Sequence, residues 1–355
     1  MKKKNSLSFS IEKPKDTWRI IVGIFILVLI LAVSIGWYTA RDNDQQELVT
    51  NSDTLNGKSF LDSVKNAQSQ NLEHIIGGDI TVEPPIPQQT PQLVGTLPPQ
   101  EQFTAKAMIV KDNKTGAVLY KKNEYTKRPI ASISKLMSAL VILEGYVDWE
   151  QKATVVPDDL IDSHMYAGDV YTIDELWRAA LVASSNKAIL TLADSIGWPR
   201  EAFVERMNQK AMELGMIDTH FEEPTGLNNQ NVSTASDLVL LLDEALKLEK
   251  IQNTVLMDEV TLYSEQRDTS ATLRNTDWLL LNWIPHHLYN IRGGKTGFIN
   301  ASGYNFIMQV EDEKGHIIDV VILGTNVHEA RFIEARDIAQ AVFDNYEWES
   351  EDATK

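Results

Sequence analysis

The stretch "ASISKLMSAL" (Ala131–Leu140) places Ser132 three positions before Lys135, at the head of an apolar run that continues to Leu143. The density of Leu, Met, Ala and Ile in "ISKLMSALVIL" reads as a helix packed on much of its surface. Residues three apart on a helix are neighbours, with Cβ atoms about 5–6 Å apart. A hydroxyl becomes a competent nucleophile when a base removes its proton, and a lysine that has lost its charge can do so. Burial beside another cation favours that neutral form. A serine three before a lysine also occurs at ordinary helix starts, so the rest of the chain must decide.

Two further short motifs bear on it. "VASSNKA" (Val182–Ala188) sets Ser184 and Asn186 at a helix–helix junction, where a hydroxyl could relay a proton and an amide could bond a substrate carbonyl. Its bland reading is a helix N-cap. "IRGGKTGFINASGYN" (Ile291–Asn305) sets Lys295, Thr296 and Gly297 just before an apolar strand. Strand edges bind peptide backbone by main-chain hydrogen bonds, and a glycine there admits close approach. Its bland reading is a polar hairpin turn.

The elements around these motifs describe an α+β domain. "AKAMIVKDNKTGAVLYKKN" (Ala105–Asn123) reads as strand, turn, strand, because apolar runs flank the turn formers of "DNKTG". "TIDELWRAALVAS" is a helix whose Thr172 and Glu175 form a capping box. "EAFVERMNQKAMELGM" is an amphipathic helix stopped by Gly215, and "STASDLVLLLDEALKL" another, capped by Ser233 or Thr234. "GYNFIMQVEDEKGHIIDVVILGTN" is a second hairpin and "EARFIEARDIAQAVFDNYEW" a closing helix. The strand pairs at the two ends are expected to join in one antiparallel sheet.

Upstream, "IIVGIFILVLILAVSIGWY" (Ile20–Tyr38) holds no charged residue and is long enough to cross a hydrocarbon core of about 30 Å. Lys2, Lys3, Lys4, Lys13, Lys15 and Arg19 precede it against Glu12 and Asp16. The positive-inside rule then keeps the N-terminus cytoplasmic and sends the rest of the chain outside. The expected layout is a basic tail (1–19), a single membrane anchor (20–38), a polar Pro-rich linker (39–103), the folded domain (104–347) and an acidic tail (348–355).

Composition excludes several classes. A formal charge of −17 opposes binding to nucleic acid. With no cysteine there is no disulfide or thiolate chemistry. The seven histidines show no HExxH or HxH spacing, so no metal or other cofactor is expected.

In the order S-x-x-K, S-x-N, K-T-G, separated by about 50 and then about 110 residues, the three motifs resemble the active-site signature of penicillin-binding proteins and serine β-lactamases. "HFEEPTGLNNQNVSTASDL" (His220–Leu238), "KTGFINASGYN" and the R-x-x-E-A of Arg331–Ala335 narrow the resemblance to the low-molecular-mass D-alanyl-D-alanine carboxypeptidases. It spans roughly residues 104–347. It implies a transpeptidase-like fold, an antiparallel sheet flanked by helices with an all-helical subdomain. It also implies a hydrolase acting on peptidoglycan stem peptides and acylated by β-lactam antibiotics, which the anchor at 20–38 would hold in the membrane.

Carried over residue by residue, the resemblance makes Ser132 the nucleophile and Lys135 its base. Ser184 and Lys295 assist proton transfer, and Asn186 positions substrate. The N–H groups of Ser132 and Phe298 form an oxyanion hole, with Gly297 between the threonine and that donor. Thr296 and Arg331 bind the terminal carboxylate. Phe298 stands where many carboxypeptidases carry a polar residue, and the wording "EPTGL…NVSTA" is closer to the branch that cuts peptidoglycan cross-links. A β-lactamase is disfavoured by S-S-N in place of S-D-N and by the lack of an E-x-x-L-N-like segment. A silent wall-binding scaffold is disfavoured by three intact motifs.

Overall fold

Five segments build the central sheet: β1 (Ala107–Asp112), β2 (Val118–Lys122), β3 (Asn290–Ile299), β4 (Gly303–Glu311) and β5 (Ile317–Thr325). They lie in the order β3-β4-β5-β1-β2, every neighbouring pair antiparallel. The two ends of the chain thus meet in one sheet through the β5–β1 pair, in which Val320 faces Val110 and Val321 faces Ile109. This geometry comes from a computed structural model describing residues 89–160, 162 and 165–349. The anchor at 20–38, the basic tail, most of the linker and residues 350–355 lie outside the described residues. Among those described, no helix is long and apolar enough to cross a membrane.

Side chains alternate across a strand, and here the alternation divides two cores. Ala107, Ile109, Ile307, Val321 and Leu323 face a helical layer. Met108, Val110, Phe306, Met308, Val320 and Ile322 face the opposite way, onto Phe332, Ala335, Ile338, Ala339 and Val342 of the closing helix. The helices are α1 (Ser134–Ile142), α2 (Ile173–Val182), α3 (Asn186–Ser195), α4 (Arg200–Glu213), α5 (Ala235–Lys247), α6 (Glu249–Val255) and the closing α7 (Ala330–Asn345).

All nine residues of α1 are buried, as its unbroken apolar pattern requires. The Thr172/Glu175 capping box starts α2, Thr234 caps α5 by accepting from the Asp237 N–H, and Gly215, at φ 79°, follows α4. Trp177 is fully buried between helices, its Nε1 donating to Thr254 Oγ1 at 2.9 Å.

Three features were not read from the sequence in this form. The end of the Pro-rich stretch is folded with the domain: Gln92–Leu93 pairs with Tyr346–Glu347, and Phe103 sits edge-on to Tyr120 at 5.7 Å. Prolines suit an extended path along a surface, and Leu97 and Phe103 give that path something to bury. Trp348 likewise belongs to the domain, its Nε1 donating to Asp112 Oδ1 at 2.7 Å. A further hairpin, Glu259–Ser264 with Thr269–Arg274, buries Val260 and Leu262 on one face.

Candidate active site

The site gathers where α1 begins, where α2 gives way to α3, and along β3. Ser132 lies in a 3-10 turn (Ala131–Ile133) leading into α1. Ala131 has φ +52°, a left-handed conformation that costs a non-glycine residue on the order of 1 kcal/mol. The turn points Ser132 into a cleft, while Lys135, one turn on, is fully buried.

Lys135 Nζ lies 2.9 Å from Ser132 Oγ, 2.7 Å from Asn186 Oδ1 and 2.7 Å from the Thr225 carbonyl. A neutral amine has two N–H donors and one lone pair. A backbone carbonyl and an amide oxygen only accept. Both donors are therefore committed to Thr225 and Asn186, and the lone pair faces the serine hydroxyl. Burial brings the Lys135 pKa down to about 7, against the opposing pull of the Glu223 and Asp162 carboxylates.

The α2–α3 junction is equally tight. Ser184 has φ +61°, and its Oγ accepts from Lys295 Nζ at 2.9 Å. Ser185 caps α3, and Asp162 accepts from both Ser185 Oγ (2.6 Å) and the Lys187 N–H (2.9 Å). Asn186 is thereby fixed as the first residue of α3. Its neighbour Ser185, not Ser184, plays the ordinary N-cap role.

K-T-G lies within β3 itself, not ahead of a strand, and β3 is an edge of the sheet. Lys295 is 1% exposed, and its Nζ also donates to the Thr296 carbonyl at 3.1 Å. Its pKa sits well below the usual lysine value, first because of burial, then because of Lys135 and Arg331, with Asp277 opposing. Burial beside a second cation is the arrangement expected from the sequence, and burial is the main cause of the lowered value at both lysines.

Gly297 explains how the strand reaches the nucleophile. A Cβ there would stand 2.6 Å from the Ile130 carbonyl and 3.2 Å from Ser132 N. Gly226, at φ +88°, approaches from the other side, where a Cβ would lie 1.9 Å from the Ala131 carbonyl. Ile299 turns its N–H toward Ser302 Oγ and its carbonyl toward the Ser302 N–H. By strand alternation Phe298 turns its N–H to the free side of β3. The Phe298 ring is 44% exposed and stacks on Tyr304 at 4.2 Å.

Thr296 Oγ1 lies 2.6 Å from Thr276 Oγ1. Arg331, 4% exposed, sends Nη1 toward the Gly297 and Asn305 carbonyls at 3.4 and 3.5 Å, and Nη2 lies 2.8 Å from His328 Nε2. Its Nε has no partner. Burial lowers the Arg331 pKa to about 10 and also lowers that of His328, while buried Asp277 is raised to about 6. Ser132, Ser184, Thr296, Gly297, Phe298 and Arg331 all line one cleft of about 430 Å³. A larger cavity of about 940 Å³, between α4 and the loop at 220–228, does not include Ser132. Chemistry rather than size marks the smaller one as the site.

The structure brings all nine candidate residues into this neighbourhood. Thr276, Thr225, Asp162 and Glu223 were not singled out from the sequence. Glu223 and Thr225 lie inside "HFEEPTGL", quoted above only for its resemblance. The other two carry no motif.

A hydroxyl paired with a buried neutral amine, beside a strand edge that can hold an extended peptide, defines a serine acyl-transfer enzyme of the transpeptidase-like α+β class. The chain belongs to the D-alanyl-D-alanine carboxypeptidase family, peptidase family S11, which it matches over residues 94–326. It is 32% identical over 231 residues to the D-alanyl-D-alanine endopeptidase of Pseudomonas aeruginosa, covering 64% of this chain and 73% of that protein. It is 29% identical over 257 residues to the D-alanyl-D-alanine carboxypeptidase DacF of Bacillus subtilis, covering 68% and 63%. Penicillin-binding protein D2 of Listeria monocytogenes, solved with ampicillin bound, superposes with a TM-score of 0.60 at 28% identity, covering 69% of this chain and all of that one.

Proposed function

We propose that this is a membrane-anchored serine D,D-carboxypeptidase that removes the terminal D-Ala of peptidoglycan stem pentapeptides. Ser132 Oγ attacks the carbonyl of the penultimate D-Ala as Lys135 takes its proton. The oxyanion is held by the N–H groups of Ser132 and Phe298, each such donor being worth about 3–4 kcal/mol of barrier. The leaving amine receives a proton through Ser184 and Lys295, and water then hydrolyses the acyl-enzyme. Thr296, Thr276 and Arg331 hold the terminal carboxylate, which an arginine can bind through two N–H groups. The place of Arg331 in the lining of the cleft, beside Thr276 and Thr296, supports that reading. Penicillins acylate the same serine. Residues 20–38 hold the enzyme in the membrane with the N-terminus cytoplasmic and the domain outside.

The observation that carries this is the 2.9 Å approach of Lys135 Nζ to Ser132 Oγ, with both amine donors otherwise engaged. The test is intact mass after benzylpenicillin, with Ser132→Ala alongside. A lasting adduct of one penicilloyl group, absent from the variant, supports the assignment. Destruction of penicillin without an adduct would indicate a β-lactamase, and intact penicillin with no adduct a silent scaffold.

A second reading is D,D-endopeptidase action on cross-links, in which the leaving D-centre also carries a carboxylate but bears a long substituent. The cleft favours it by running past Thr276 to Trp278, Trp283 and Arg274. The endopeptidase name of the P. aeruginosa relative points the same way. Product masses from cross-linked and pentapeptide muropeptides distinguish the two.

A further inference from the structure

We infer that Glu223 is a positioning residue for Lys135: its carboxylate clamps the turn that presents the Thr225 carbonyl to the lysine amine. The inference rests on Lys135 acting as the base.

The clamp is made of short bonds. Glu223 Oε2 accepts from the Thr225 N–H at 2.6 Å, while Oε1 accepts from the Gly226 N–H at 2.6 Å and the Asn228 N–H at 3.2 Å. A carboxylate is the one side-chain group that takes several backbone N–H bonds at once while donating none. The turn so fixed meets α1 along its length. The Pro224 carbonyl accepts from Ser138 Oγ at 2.8 Å and the Thr225 carbonyl from Lys135 Nζ at 2.7 Å. Gly226 is pressed against the Ala131 carbonyl.

Asn231, fully buried, locks the back of the loop. It accepts from the Glu222 and Glu223 N–H groups and donates to the Glu223 carbonyl and Ser134 Oγ. A shift of Thr225 would free one of the two Lys135 N–H donors, and the lone pair would no longer be held toward Ser132.

The second effect is electrostatic. Among the described residues, the charged groups acting around Lys135 are Glu223 from this loop, Asp162 before α2, and Lys295 from β3. Glu223 and Asp162 both hold the Lys135 ammonium form up against burial. Removing the Glu223 charge therefore lowers the Lys135 pKa. A residue that only braced the loop would not move it.

The test is the rate of acylation by benzylpenicillin between pH 5 and 9, measured on the full chain in detergent for wild type, Glu223→Gln and Glu223→Asp, with thermal melting of each. Glu223→Gln should slow acylation at least tenfold and shift its acid limb about half a unit or more to lower pH. Glu223→Asp, which keeps the charge but shortens the clamp, should slow acylation and leave the limb in place. An unmoved limb in a folded Glu223→Gln, or an equal shift in both variants, overturns the electrostatic role. Wild-type rates in both overturn the clamp. Should the glutamine variant not fold, the aspartate variant alone decides: a moved limb or a wild-type rate overturns the inference. A wild type with no acid limb would instead sink Lys135 as the base, a different failure from a limb that is present and unmoved by Glu223→Gln.

Discussion

Thr276 and Thr296 come from separate segments, a loop after the Glu259–Arg274 hairpin and the edge strand β3, yet their hydroxyl oxygens lie 2.6 Å apart. One hydroxyl donates to the other, so a proton remains free to turn toward an anion in the cleft. Thr276→Val removes one oxygen and leaves the shape. For a substrate ending in a free carboxylate, kcat/KM should fall about tenfold, of the order of one hydrogen bond to a charged group. For the same peptide as its C-terminal amide, kcat/KM should hardly change. An equal loss on both substrates would remove Thr276 from carboxylate binding.

The pH dependence follows from Lys135, whose pKa is drawn down to about 7 by burial. Below that value the amine is protonated and has no lone pair for Ser132. Acylation should therefore fall about tenfold per pH unit on the acid side and level off above neutrality. A rate constant from pH 9 to pH 5 would exclude the role.

Gly297→Ala should separate folding from chemistry. The added methyl lies 2.6 Å from the Ile130 carbonyl, so β3 must step back from Ser132. Loss of one well-aimed oxyanion donor costs about a hundredfold or more in rate. Acylation should fall by that order, with circular dichroism unchanged. Near-normal acylation would mean that β3 does not set the oxyanion geometry.

Trp177→Ala tests the helical core away from the site. Removal of a fully buried Trp whose indole N–H is bonded to Thr254 should cost about 3–5 kcal/mol, read as a lower denaturant midpoint. A loss under about 1 kcal/mol would mean that the helices repack around the gap.

Much of the fold was legible because period-2 and period-3.6 patterns dominate where burial is one-sided. The hairpin around "DNKTG", the Thr172 capping box and α5 with its Thr234 cap all followed local rules that tertiary packing did not override. The Glu259–Arg274 hairpin was harder, because its buried apolar residues are only Val260, Leu262 and Leu273, set among polar neighbours. Lys295-Thr296-Gly297 reads as lying just ahead of a strand rather than within it, because Lys295 is a buried charge and Thr296 faces a cleft. A strand buried against a functional cleft breaks the apolar pattern by which strands are recognised.

The site was legible as three motifs and illegible as a network. Ser132 and Lys135 are three residues apart, but Thr225 and Asn186, which orient the lysine, lie 90 and 51 residues from it. Long-range carbonyls and carboxylates leave no spacing to read. Asp162 and Glu223 look like any other acidic residues in a chain with 50 of them.

The outer edge of β3 has one more consequence. A ten-residue edge strand paired on one side only would ordinarily invite a second chain to pair with it and seed aggregation. Here its first half is held by α5 and α6, through Gln252 on the Arg292 carbonyl and Leu246 and Val255 against Gly293. Beyond it, Ile130–Ser132 crowd Gly297. What stays open is the stretch around Thr296–Phe298 that lines the cleft. The enclosure that leaves only the cleft open also keeps the molecule from templating its own kind.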